Sequence, residues 1–180
     1  FSSAEAQLAA ISDDIAYNNH DVDDGLRAGL FQVQDIKELD LVGPIFEEIG
    51  AAYPDLDRSR TIHEAVRRLI EAMIIDVIEE TTRRIKEYKP TNSAEIRGLE
   101  SPIVSFSVDM GNKEKALKKF LFENMYRHHK VNRMMSKGRR IVSELFESFL
   151  EQPGCLPSSW ELKTGGAGTI QTARVVCDFI

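Results

Sequence analysis

Cysteine is nearly absent: Cys155 and Cys177 are the only two in 180 residues, and they lack CxxC spacing. That excludes a disulfide framework and a cysteine-built zinc site, and leads us to expect two reduced, buried thiols in a cytoplasmic protein. Long apolar runs are missing as well. The longest candidate, Ile70 to Ile78, is interrupted by Glu71 and Asp76 and falls short of the ~20 residues a membrane-spanning helix needs. The start, Phe1-Ser-Ser-Ala-Glu5, has no basic region leading into an apolar stretch, so it does not read as a secretory signal. It has no initiator Met either, from which an upstream beginning is expected. Lysine and arginine are wholly absent from residues 1–24, which carry Glu5, Asp13, Asp14, Asp21, Asp23 and Asp24.

What is present is ordinary in bulk and uneven in detail. A composition of 42% hydrophobic and 29% charged residues suits a soluble globular protein with one sizeable core. The net charge of -6 conceals a tract from 113 to 140 with ten basic side chains against Glu114 and Glu123. Acidic and basic segments in one chain suggest a cation site and a polyphosphate site. Two solvated helix faces would give the same pattern.

Helical periodicity dominates. Leu8, Ile11, Ile15, Val22 and Leu26 recur at helical steps from Ala4 to about Ala28, with Gly25 and Gly29 expected to loosen or end that helix. A second helix is expected from Gly43 to Tyr53, with Pro44 in its first turn. Thr61-Ile-His-Glu64 fits a capping box. The helix behind it should run to Tyr88, before Lys89-Pro90, with a wide stripe of Ile62, Val66, Leu69, Ile70, Met73, Ile74, Val77 and Ile78 in the core. Residues 90–108 form the clearest break, with an extended stretch expected at Ile103–Phe106. Helices follow at about Lys113–His128, Val131–Glu151 and Thr172–Ile180. The fold class is all-α, and no internal repeat is seen.

The first helix carries the one constellation with chemistry. At about 100° per residue, Asp13, Tyr17, His20, Asp21 and Asp24 fall within one sector. Such a face costs several kcal/mol per ion to bury without partners, so it must meet water, cations or a polar ligand. A lone Asp cannot hold a transition metal. Spacing leaves a binding site and a solvated or interface helix both open.

The segment Ala10-Ile-Ser-Asp-Asp-Ile-Ala-Tyr-Asn-Asn-His-Asp-Val-Asp-Asp-Gly-Leu-Arg-Ala-Gly29, with Glu5-Ala-Gln7 before it, resembles a conserved block of bacterial dGTPase-like proteins of the HD phosphohydrolase superfamily. Lys118-Lys-Phe-Leu-Phe-Glu-Asn-Met-Tyr-Arg-His128 resembles that family's distal substrate-binding helix, and Thr172 to Ile180 the start of its C-terminal helix. The resemblance implies a multi-helix HD-like bundle that hydrolyses a deoxynucleoside triphosphate to deoxynucleoside and triphosphate. It implies a divalent metal (Mg or Mn, or another transition metal) with Asp13 as one ligand, and commonly a homo-oligomer. Tyr17 matches the tyrosine along the sugar and phosphates, and Asp21 the aspartate that binds the 3′-hydroxyl. Tyr126 matches a residue near sugar and base, and Lys118 a basic position facing the phosphates.

The family's other metal ligands, one His and a His-Asp doublet, are expected before Phe1. His20-Asp21, His63 and His128-His129 do not match them. The chain therefore reads as a piece of a longer enzyme, with 1–89 the end of an HD catalytic domain and 90–180 a substrate-binding and C-terminal region. No catalytic residue is assigned, His20 included. A different class stays open: a non-catalytic regulatory protein whose basic tract binds a nucleotide or single-stranded nucleic acid. Without the resemblance, Tyr126 reads equally as a core aromatic, Lys118 as a solvated face and Trp160 as a packing anchor.

Overall fold

The computed structural model describes residues 1–180, all of them helix, turn or irregular chain without a strand. The chain divides into two compact units, 1–128 and 129–180.

In the first unit, α1 (Ala4–Ala28) begins where the Ser3 hydroxyl accepts from the Ala6 amide, and ends at Gly29, whose φ of 64° is the left-handed conformation glycine tolerates. Gly25 does not end the helix. It lies buried inside α1 because Phe31 packs on it: a Cβ there would stand 2.2 Å from Phe31 Cε1. Phe31 in turn meets Phe120 edge to face at 5.1 Å. The short α2 (Val33–Ile36) leads to α3 (Gly43–Ala52), with Pro44 in its first turn.

The long helix, α4 (Arg58–Tyr88), starts earlier than the Thr61 capping box predicts. Asp57 is the cap, its carboxylate accepting from Arg60 N at 3.1 Å. Thr61 instead donates its hydroxyl to Asp57 O at 2.9 Å, inside the first turn. The expected wide core stripe is also narrower. Ile62, Ala65, Leu69, Met73 and Val77 are buried along one seam, while Ile74 and Ile78 are exposed. Only positions three or four apart on that seam face α1 and α3, and each fully buried apolar side chain contributes about 1.5–3 kcal/mol.

After α5 (Ser93–Gly98), Ile103 and Val104 are buried without forming a strand. The Val104 amide donates to the buried Gln7 side chain at 3.1 Å, so a side chain on α1 replaces a strand partner. The helix expected from Lys113 begins five residues sooner, as α6 (Val108–Leu121). Ser107 caps it through Met110 N at 3.1 Å, and Asp76 of α4 fixes Ser107 by accepting from its amide at 2.8 Å and its hydroxyl at 2.6 Å. A π-helical turn, Phe122–Tyr126, continues α6.

The second unit holds α7 (His129–Glu151), a 3-10 turn at Pro153–Cys155, α8 (Ser158–Glu161) and α9 (Ile170–Phe179). Phe179 meets Phe149 and Trp160 edge to face, each at 5.5 Å, which makes Trp160 a packing residue. Both cysteines are free thiols, and both are exposed rather than buried. No helix is long and apolar enough to cross a membrane.

Candidate functional site

Three of the four residues matched to substrate contacts, Tyr17, Asp21 and Tyr126, are linked where α1 packs on α6. Asp21 is buried, and its carboxylate accepts a hydrogen bond from the Tyr126 hydroxyl. The π-helical turn makes this meeting possible. Its wider loop, closed by Arg127 N donating to Phe122 O at 3.2 Å, ends the helix and carries Tyr126 beside α1. Such turns are rare and recur at binding sites.

Burial pushes the Asp21 carboxyl above its ordinary pKa, the hydrogen bond from Tyr126 opposes that rise, and nearby Asp24 adds to it. The Tyr126 phenol is raised as well, first by burial and then by hydrogen bonding to Asp21 and Tyr17. Tyr17, one turn before Asp21 on α1, is 59% exposed. A half-open tyrosine beside a buried carboxylate gives an apolar ring and a strong acceptor within one turn of helix. That pairing suits a ligand with an apolar body and a hydroxyl donor.

Lys118 holds a second set of contacts. Its ammonium lies 2.6 Å from Glu114 Oε1, one turn earlier on α6, and 3.3 Å from Asp14 Oδ2 on α1. Glu114 is buried and also accepts from the buried Asn18 side chain at 3.0 Å. Burial works against the Lys118 charge, but the two carboxylates outweigh it and hold its pKa above the ordinary lysine value. Sequence reasoning alone misses Asp14, Asn18 and Glu114. The signal available is the four-residue spacing, Asp14 to Asn18 and Glu114 to Lys118, which puts each pair on one side of its helix.

Asp13, His20 and Asp24 are exposed on α1. No group of three or more His, Cys, Asp or Glu side chains is arranged to hold an ion. Asp13 would give a cation one ligand, so these residues do not make a metal site by themselves. Nearby, Asn19 is wholly buried, donating to Ile15 O at 2.8 Å and lying 3.3 Å from Met73 Sδ, with no partner for its Oδ1.

The all-α architecture can now be set beside known proteins. Residues 104–180 match the model of a phosphohydrolase-associated domain. The whole chain is 51% identical to a "Deoxyguanosinetriphosphate triphosphohydrolase-like protein" of Parvibaculum lavamentivorans, of which it covers 46%. It is 47% identical to the protein of the same name from Caulobacter vibrioides, again over all 180 residues and 46% of the relative. Over 176 residues it is 40% identical to that of Geobacter sulfurreducens. The chain is similar to these dGTPase-like proteins along its whole length, and it spans about half the length of the curated relatives it matches.

Proposed function

We propose that this chain forms the sugar- and phosphate-facing side of a deoxynucleoside triphosphate triphosphohydrolase. Water adds to the α-phosphorus, the bond to the 5′-oxygen breaks, and deoxynucleoside and triphosphate leave. The buried Asp21 carboxylate, engaged by Tyr126 and preceded one turn earlier by the exposed Tyr17, is the observation that carries this reading. Asp21 accepts from the sugar 3′-hydroxyl. Tyr17 lies along the sugar, where a 2′-hydroxyl would crowd its ring. Tyr126 borders sugar and base, and Lys118 offers its ammonium to the phosphates. Asp13 is assigned to the metal of the intact enzyme as one carboxylate among ligands from outside these 180 residues. On this reading the 180-residue chain alone does not turn over dNTPs.

The names of the relatives make dGTP the first substrate to try. Chromatography of products from each dNTP with the full-length protein should give deoxynucleoside and tripolyphosphate. A monophosphate product would refute the proposed cleavage. Absence of turnover alongside dNTP binding would favour the regulatory reading. Asp21→Ala should raise KM steeply at unchanged metal content, and loss of metal in that variant would remove the sugar role from Asp21.

A further inference from the structure

Lys118 does more than present a charge to phosphates, and only the identity of its ligand rests on the proposed function. Two carboxylates share one ammonium, and they are not equivalent. Glu114 is 7% exposed, is held by the Asn18 amide at 3.0 Å, and meets Lys118 at 2.6 Å. Breaking that contact would leave a buried carboxylate short of a partner, which is costly. Asp14 has a side chain 57% exposed, meets the same ammonium at 3.3 Å, and loses little by turning into water. An arriving anion would therefore displace Asp14 and leave Glu114 in place.

We propose that Lys118 is a preset anion-binding ammonium, anchored from beneath by Glu114 and Asn18, and that Asp14 is a displaceable cover whose carboxylate stands where a phosphate of the ligand binds. Asp14 thus lowers affinity for polyphosphate. It stops the site from taking weak anions, while a triphosphate, with about four negative charges, overcomes it.

The test is calorimetric titration of inorganic tripolyphosphate into the 180-residue chain and its Asp14→Asn variant, with chelator present and at low salt. Asp14→Asn should bind about two- to five-fold more tightly, the worth of an exposed ion pair. High salt should shrink the difference, because the competition is between screened surface charges. In a Lys118→Ala background the Asp14 substitution should have no effect. Equal or weaker binding by Asp14→Asn, a gain that survives loss of Lys118, or no binding by either protein would overturn the proposal. Asp14→Ala serves as a second variant, and helical circular dichroism confirms that each one folds. Because the probe is inorganic, failure here leaves the product analysis with dNTPs to decide the reaction separately.

Discussion

Replacing Tyr126 by Phe removes one hydroxyl and keeps the ring, so it tests the hydroxyl's bonds, chiefly the one to Asp21, apart from ring packing. A hydrogen bond to a charged acceptor contributes about 1.5–3 kcal/mol, against about 1 kcal/mol for a neutral one. Tyr126 is 36% exposed, so water competes for its hydroxyl and discounts that range to about 1–2 kcal/mol. Urea unfolding followed by helical circular dichroism should show that loss near neutral pH, with an unchanged slope against denaturant.

The pH dependence comes from the directions of the two shifts. Burial raises the Asp21 carboxyl in the folded state, so Asp21 by itself favours folding at acid pH and loses that contribution as pH rises through its folded value. The bond from Tyr126 offsets this when Asp21 is ionised. The cost of Tyr126→Phe should therefore be larger near pH 7 than near pH 3, by roughly 1 kcal/mol. Tyr126 itself is raised, so its contribution is complete below the ordinary tyrosine value of about 10 and is lost as pH climbs beyond it. Wild type should weaken above about pH 10 more than Tyr126→Phe does. A variant matching wild type at neutral pH, or costing more in acid, would refute this account of the pair.

Two further substitutions test how the fold sets up the site. Gly25→Ala gains about 0.5–1 kcal/mol of helix preference, but its Cβ would meet Phe31 at 2.2 Å, and overpacking a core costs about 1–3 kcal/mol. A net loss in urea unfolding is expected, relieved when Phe31 is shortened to Leu. A Gly25→Ala variant more stable than wild type would show that the Phe31 ring moves freely. Asp57→Ala should cost about 1 kcal/mol as the true cap of α4, and Thr61→Ala clearly less. The reverse order in thermal melts would restore the capping box at Thr61.

Local sequence settles whatever depends on neighbours within a few residues. Helical spacing of apolar side chains lays out α1, α3, α4 and the later helices, and Gly29 and Pro90 mark ends that the structure keeps. The same spacing puts Asp13, Tyr17 and Asp21 on one side of α1. Other boundaries are illegible because their caps come from far along the chain. Asp76 fixes Ser107, so α6 starts where α4 lies, and Gln7 satisfies Val104 in place of a strand.

Which of two exposed-looking carboxylates meets Lys118 is equally a matter of helix packing. Asp14 reaches it and Asp13 stays in solvent, because α6 lies against one side of α1. The π-helical turn that brings Tyr126 to Asp21 joins residues 105 apart. No local pattern encodes that contact, since the Tyr126 hydroxyl offsets the cost of burying a carboxylate between two helices that only the folded chain brings together.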